Sequence, residues 1–385
     1  MFYFLHLSNP QKRILIFAFY IINRDLHISK KKGEYMKDKI LIYGAYGYTG
    51  LLIVDECLKQ QLPIILGGRN EIKLREISQK YGLEYRVFSL NDVNEITKKL
   101  SNIQVVIHSA GPFQYTAKNM VLACIENGTH YIDITGEIDV FEWIATKDDE
   151  ARKKGIMLLP GGGFDVVPSD CLASYLSSLL PDAHQLTLAF YSNGKPSHGT
   201  MLTAIESMGK GGQIRKDGVL VSVPPAYKKM RINFGEETKL CVTIPWGDVS
   251  TAYYSTHISN IEVYMAVSKG MSFMMQGIKL TQNIIGTEPI QNFLKNCIPE
   301  GGPTPEEREK NFTLLWGEVK NKEGLYKRAG MKTTDGYDLT AFSSVLIAKK
   351  VLNGEYKSGF QTPSLAYGYK LVLELPSVDL WDIQK

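Results

Sequence analysis

Two periodicities alternate along the chain from residue 37 onward: short apolar runs of strand length, and longer stretches in which apolar residues recur on a helical period. Ile40–Tyr43 reads as a buried strand, and Gly50–Lys59 as a helix directing Leu51, Leu52, Val54 and Leu58 inward. Ile64–Gly67 is a second strand, followed by a helix over Glu71–Tyr81. Tyr85–Leu90 and Gln104–Ser109 form the third and fourth strands, with a charged helix over 93–100 between them. A helix through Lys118–Asn127 leads to a fifth strand, Tyr131–Ile134. This β–α–β–α order predicts a parallel sheet covered by helices on both faces.

The pattern changes past the fifth strand. Glu142–Lys154 reads as one charged amphipathic helix, and Ile156–Pro160 as a strand running into Gly161-Gly162-Gly163-Phe164-Asp165. That glycine run marks either the last crossover of the first sheet or a hinge, and places the domain boundary near 165–185. Strand signal dominates 186–267, in Leu186–Tyr191, Val219–Val223, Lys239–Ile244 and Ile261–Val267, with loops at Gly209–Gly212 and Pro224-Pro225. Met271–Leu280, rich in methionine on a helical period, suits an adaptable core or subunit contact, or a lipid-like substrate groove. Pro303–Lys310 reads as a surface loop and helix start, Leu339–Leu352 as a helix ended by Asn353-Gly354, and Ser364–Glu374 as another helix. The expected fold class is α/β. A Rossmann-type parallel sheet with helices on both faces occupies 36–170, a second α/β domain 171–335, and C-terminal helices over 336–385 return to the interface, so that the second domain is inserted.

A length of 385 residues agrees with two domains. The first 35 residues stand apart: the apolar run 15–22 follows Lys12 and Arg13 and precedes Arg24 and Lys30–Lys32. A signal or anchor is one reading, but the run is too short to span a bilayer and no small-residue cleavage site follows it. A non-native or disordered leader is the plainer one. Lys-Lys-Lys-Gly-Glu-Tyr before Met36 is what purine-rich codons containing a bacterial ribosome-binding sequence would encode, which makes Met36 the expected start.

Charge and cysteine usage narrow the function classes. The net charge is +4, with no basic face repeating along the chain, so nucleic acid is not an expected partner. The five cysteines (57, 124, 171, 241 and 297) form no CxxC pair and have no histidines at ligand spacing. They read as buried thiols of a protein in a reducing cytoplasm, without metal or disulfide framework. The expected partners are a small-molecule substrate and a second copy in a homodimer, without integral membrane insertion.

The chemistry concentrates between the first strand and first helix, in Gly44-Ala-Tyr46-Gly47-Tyr48-Thr49-Gly50. Glycines there permit a tight turn and let backbone N–H groups at a helix start approach a pyrophosphate. Thr49 supplies a hydroxyl to the phosphate or caps the helix. The second strand ends Gly68-Arg69-Asn70, with no acid before Glu71. An Asp or Glu there would bind a ribose 2′-hydroxyl; Arg69 instead offers a planar fork for a 2′-phosphate, with Asn70 beside it, which selects NADP(H). Asp92 either meets the adenine or caps a helix. The small residues Ser109, Ala110, Gly111 and Pro112 let the cofactor pass close to the fourth strand's end, while His108 reads as a core histidine.

Candidate proton donors are Tyr131, Asp133, Glu137 and Asp165, all near carboxyl ends of strands, where open α/β sheets bind ligands; His198 is a weaker candidate. Each carboxylate has an alternative use as a helix cap or a ligand to backbone N–H groups. Trp246, in Pro245-Trp246-Gly247-Asp248, lines a pocket or packs a turn. No Ser-Tyr-x-x-x-Lys arrangement, serine-hydrolase elbow or zinc-ligand cluster is present in the sequence. Two functions remain: a hydride-transferring oxidoreductase, and a non-catalytic NADP(H)-binding sensor or subunit.

The glycine turn, Gly68-Arg69-Asn70, Ala110-Gly111-Pro112-Phe113 and Tyr131-x-Asp133-x-x-Gly136-Glu137 together resemble the saccharopine dehydrogenase-like oxidoreductases, a family that takes in the trans-acting enoyl reductases. Gly163-Phe164-Asp165-x-x-Pro168-Ser169-Asp170, Ser197-x-Gly199-Thr200, Gly336-Tyr337 with Thr340-Ala341, and Thr362-Pro363-Ser364 are similar to further motifs of that family. The resemblance covers almost everything after Met36. It implies an NADP-binding Rossmann domain, a second α/β domain covering the nicotinamide, and an oxidoreductase; a small or apolar carbonyl, imine or enoyl substrate is the expectation beside it. The first turn differs in glycine pattern from that of the saccharopine-forming enzymes, so the resemblance does not extend to lysine metabolism.

Overall fold

The computed structural model describes residues 37–207, 211–235, 237–268, 270, 288–299 and 301–384. The apolar run 15–22 and the stretch Met271–Leu280 lie outside them. From Asp38 onward the chain forms one unit built on two sheets.

The first sheet contains β1 (Lys39–Tyr43), β2 (Ile64–Gly68), β3 (Tyr85–Val87), β4 (Ile103–His108), β5 (His130–Asp133), β6 (Met157–Leu159) and β15 (Gly359–Phe360). All neighbours are parallel, in the order β15-β6-β5-β4-β1-β2-β3. The crossovers are α1 (Tyr48–Lys59), α2 (Glu71–Tyr81), α3 (Val93–Lys99), α4 (Phe113–Asn127), α5 (Ile138–Ala145) and α6 (Asp148–Lys154). The order reverses between β1 and β4, and a crevice opens at such a switch point beyond the strands' carboxyl ends. Ile40, Leu41 and Ile42 of β1 are fully buried, as a strand covered on both faces requires.

After α7 (Val167–Leu179) the second sheet begins. Its main path is β10 (Lys229–Asn233), β11 (Thr238–Thr243), β12 (Asn260–Ala266), β7 (Gln185–Ser192), β13 (Phe312–Lys320), β14 (Tyr326–Thr334) and β16 (Asp379–Asp382). A hairpin of β8 (Gly212–Lys216) and β9 (Val219–Val223) attaches to β12. Flanking helices are α8 (His198–Ser207), α9 (Asp248–Thr256), α10 (Glu288–Asn296), α11 (Pro305–Lys310) and α12 (Gly336–Leu352), then α13 (Pro363–Tyr367). One hydrophobic core runs from Ile40 and Ile42 on the first sheet through Leu339 and Val345 of α12 and Leu172 and Leu176 of α7 to Leu188 and Val319 on the second. The sheets are thereby packed through shared helices. A separate core covers the first sheet's opposite face, around Leu41, Val106, Met120 and Tyr131.

Several elements differ from expectation. Residues 142–154 do not form one helix: α5 ends at Thr146, and α6 begins after Lys147 with Asp148, Asp149 and Glu150 in its first turn and Arg152–Lys154 in its last. That arrangement complements the macrodipole of a new helix. Likewise 364–374 is divided, because Gly368 at φ +76° stops α13 and a 3-10 turn, Tyr369–Glu374, follows. The fourth helix begins at Phe113, five residues before the expected Lys118. The third strand ends at Val87, and the expected Gly209–Gly212 loop gives way to β8 at Gly212. Strands β10, β13, β14, β15 and β16 lie where no strand was expected. In β13, Thr313, Leu315, Gly317 and Val319 are buried on one face and Trp316 on the other, so polar alternation is blurred. Cys297 is exposed, against the expectation of five buried thiols; the other four are buried. No helix among the described residues is long and apolar enough to cross a membrane.

Candidate functional site

The glycine turn lies at the switch point. Gly44 adopts φ +89°, and a Cβ there would sit 3.0 Å from Ser109 and Ala110 beyond β4. A Cβ on Gly50 would collide with the Gly44 carbonyl, so the helix start and the strand end can approach only without side chains. Gly47 is the N-cap of α1, with no side-chain cap and no acid in the first turn. This contrasts with its neighbours: Asn70 caps α2 through Lys73 N at 3.1 Å, Asp92 caps α3 through Asn94 N at 2.8 Å, and Glu137 receives the first N–H groups of α4. Three helices of this sheet thus have N-terminal donors met by side chains, whereas α1, like α5 and α6, has no side-chain cap, and α1 starts at the switch point. An orphan set of N–H groups at a helix start is what a pyrophosphate requires. Thr49 lies in the first turn, does not cap it, and its hydroxyl makes no hydrogen bond among the described residues.

Residues 40–159 match the family model described as the saccharopine dehydrogenase NADP binding domain. This stretch, under a third of the chain, is similar to that NADP-binding domain. The wider comparisons agree. A saccharopine dehydrogenase-like oxidoreductase of Mus musculus is 30% identical over 203 residues, covering 46% of this chain and 47% of the relative. A trans-acting enoyl reductase of Mycobacterium ulcerans is 26% identical over 191 residues, covering 44% of each. The chain thus spans about half the length of the curated relatives it matches. Apo saccharopine dehydrogenase (L-Glu forming) of Saccharomyces cerevisiae shares the fold, with a TM-score of 0.63 at 10% identity over 90% of this chain and 100% of that one.

Within the NADP-binding domain, Arg69 stands exposed at the end of β2 without a hydrogen-bonded partner among the described residues. Lys73, one turn into α2, brings its ammonium 5.9 Å from the centre of the Tyr46 ring, and Tyr46 packs against Gly68. Two cations and an aromatic face therefore flank the strand end. Asn70 uses its side-chain oxygen as the helix cap. Ser109 donates its hydroxyl to Tyr43 O at 2.9 Å, and Thr116 closes the Ala110–Pro112 loop by donating to Ala110 O at 2.7 Å. The Tyr48 hydroxyl donates to Pro303 O at 2.5 Å and accepts from Arg308 at 3.1 Å.

The four candidate acids have different surroundings. Tyr131 and Asp133 are fully buried, and the Tyr131 hydroxyl donates to Asp133 Oδ2 at 2.7 Å. Asp133 Oδ1 accepts from Thr135 N at 3.0 Å and Gly161 N at 2.9 Å. Burial raises this carboxyl to about 6, against the lowering effect of those hydrogen bonds. His108 completes the cluster, its Nδ1 3.2 Å from the Tyr131 hydroxyl, and burial lowers it to about 3, so the ring is neutral. Glu137 spans from β5 to α4, accepting from Phe113 N and Gln114 N at 2.8 Å each. Asp165 is different. It lies on the loop after β6 against Gly136, where a Cβ would be 3.0 Å from its Oδ2, and no hydrogen bond among the described residues reaches its carboxyl. The side chain retains partial exposure, yet removal from water pushes it up to about 7. His198 lies at the start of α8, its Nδ1 3.1 Å from Pro299 O.

The loop that carries Asp165 is braced by the first sheet and by α12. Gly162 N donates to Asp133 O at 2.6 Å, and Phe164 N donates to Thr340 Oγ1 at 2.9 Å. The Phe164 ring meets Trp246 edge-on at 6.5 Å and Phe190 at 6.0 Å, forming an apolar wall beside the carboxyl. Sequence patterns do not reveal Arg308 or Phe190 as neighbours of this site, because only the tertiary fold brings β7 and α11 here. A cue existed for Lys73, since Arg69 and Lys73 are four residues apart across a helix start.

Proposed function

We propose that the chain is an NADP-dependent oxidoreductase that transfers hydride to or from a carbonyl, imine or enoyl substrate with an apolar neighbour to the reacting group. The observation that carries this reading is Asp165: a partly exposed carboxyl without a hydrogen-bond partner among the described residues, at the carboxyl end of a parallel strand, raised to about 7. A group poised there can give or take a proton at neutral pH. When bound, the nicotinamide supplies the hydride. The protein's part is to hold the dinucleotide with the turn Gly44–Gly50, orient it along Ser109–Pro112, and deliver the proton from Asp165. Tyr131, Asp133 and Glu137 then serve as braces, fixing the loops after β4, β5 and β6. The Phe164–Trp246–Phe190 wall supports an apolar substrate portion. The buried thiols of Cys57, Cys171 and Cys241 support a reducing compartment such as the cytoplasm.

Arg69 with Lys73 would take the 2′-phosphate. Arg69→Asp should weaken NADPH binding by about 10²-fold, the loss of a charge-assisted phosphate contact and its replacement by repulsion, and leave NADH binding nearly unchanged. Fluorescence titration with both cofactors measures this; equal weakening of both would displace the 2′-phosphate from Arg69. The sensor reading is separated by turnover. NADPH oxidation with at least one member of a carbonyl, imine and enoyl panel supports the enzyme, whereas tight NADPH binding with silence across the panel supports the sensor.

A further inference from the structure

The first turn of α12 touches three parts of the site that come from distant stretches of chain. Its cap, Asp335, accepts from Tyr337 N at 2.8 Å and from Asn311 Nδ2 at 2.9 Å, which fixes the direction of the turn. Thr340 accepts Phe164 N, one residue before Asp165. The Tyr337 ring packs edge-on against Tyr48, the first residue of α1, at 5.1 Å between centres. The Tyr337 hydroxyl accepts from Ser197 N at 2.5 Å and lies 2.9 Å from Thr200 Oγ1, at the start of α8. Asp338 accepts Arg308 Nε at 2.7 Å, and Arg308 in turn holds the Tyr48 hydroxyl. Tyr48 is therefore clamped by residues from beyond position 300, although its N–H belongs to the start of α1.

We propose that Tyr337 is a positioning residue that couples occupation of the dinucleotide turn to the start of α8. The proposal rests on the reading of Gly44–Gly50 as the cofactor turn. An anion drawn to the N–H groups of residues 48–50 restrains Tyr48, whose ring bears on Tyr337 and whose hydroxyl bears on Arg308. Restraint at Tyr337 is passed through its hydroxyl to Ser197 and Thr200. The coupling is energetic only so far as the filled turn favours one arrangement of this clamp. It is reciprocal, so a ligand that engages the start of α8 must tighten dinucleotide binding by the same factor.

Hydrogen–deuterium exchange of the full chain with and without NADPH tests this. In the wild type, NADPH should slow exchange in peptides covering residues 197–207 by about tenfold, a typical coupling strength. In Tyr337→Phe, which keeps the ring on Tyr48 and removes the hydroxyl, that NADPH-dependent slowing should fall below about twofold, while protection around residues 44–59 persists. A merely structural tyrosine would change exchange at 197–207 equally in both states, and that result overturns the proposal. So does a wild type in which NADPH protects 44–59 but not 197–207. If Tyr337→Phe fails to fold, Thr200→Val removes the exposed partner of the same hydroxyl, and undiminished slowing there also overturns it. Absence of any NADPH protection at 44–59 in the wild type instead overturns the cofactor reading, and the coupling with it.

Discussion

Asp165→Asn is expected to lower kcat by about 10²–10⁴-fold while changing the Kd for NADPH by less than roughly threefold, because it removes the proposed proton donor and leaves the proposed dinucleotide contacts in place. In the reductive direction the wild-type rate should fall as pH rises through about 7, where Asp165 loses its proton, and the variant should lack that limb. The same substitution has a consequence for stability. The folded-state pKa of Asp165 lies above the ordinary 3.8, so the native state favours the protonated form. Its contribution is fully present below about pH 4 and is lost as pH rises through about 7. Asn is neutral throughout, so the variant should gain relative to the wild type by a few kcal/mol at pH 8, at about 1.4 kcal/mol per pKa unit, and by little near pH 4. Denaturant unfolding at the two pH values measures the difference. An activity loss accompanied by lower stability at every pH would point to Asp165 as a structural carboxylate.

The second large effect concerns the junction between the sheets. Arg215 of β8, with only 5% of its side chain exposed, pairs with Glu142 of α5 at 2.6 Å. It also donates to Val249 O and Gly218 O at 2.8 Å each, and its guanidinium lies 4.2 Å from the centre of the Tyr253 ring. Ser250 and Tyr254 complete the Glu142 carboxylate at 2.7 and 3.0 Å. Arg215→Ala should destabilise the chain by about 3–5 kcal/mol, since it strands a partly buried carboxylate and two backbone acceptors. Lys195, 80% exposed beside Glu307, provides the comparison: Lys195→Ala should cost under about 1 kcal/mol, as a solvated pair does. Urea midpoints of the two variants test the contrast, and similar losses would remove Arg215 from the account of the junction.

How much of this was legible depends on the distance over which each feature is encoded. The glycine turn is local: strand, turn and helix follow one another, and steric need for glycine at positions 44 and 50 can be read within seven residues. The parallel sheet was legible for the same reason, since each β–α pair announces its own period. The division of 142–154 into two helices was also encoded locally, in the acids at 148–150 and bases at 152–154, but the continuous amphipathic stripe concealed it. Glu137 illustrates the opposite case. It was visible as a carboxylate near a strand end, yet its partners, Phe113 N and Gln114 N, lie more than twenty residues away. Nothing local distinguishes such a brace from a proton donor. The β13–β14 hairpin escaped because both faces carry apolar side chains, and the clamp around Tyr48 because Arg308 and Tyr337 reach it from beyond residue 300.

A dinucleotide held by Gly44–Gly50 is proposed to present its nicotinamide to Asp165. A crystal structure of the chain with NADP+ tests it most directly. The expected result is the pyrophosphate on the N–H groups of residues 48–50, the 2′-phosphate against Arg69, and the nicotinamide ring beside the Asp165 carboxyl. A nicotinamide directed away from Asp165, with the carboxyl reaching neither the ring nor the space a substrate would occupy beside it, would rule out Asp165 as the proton donor.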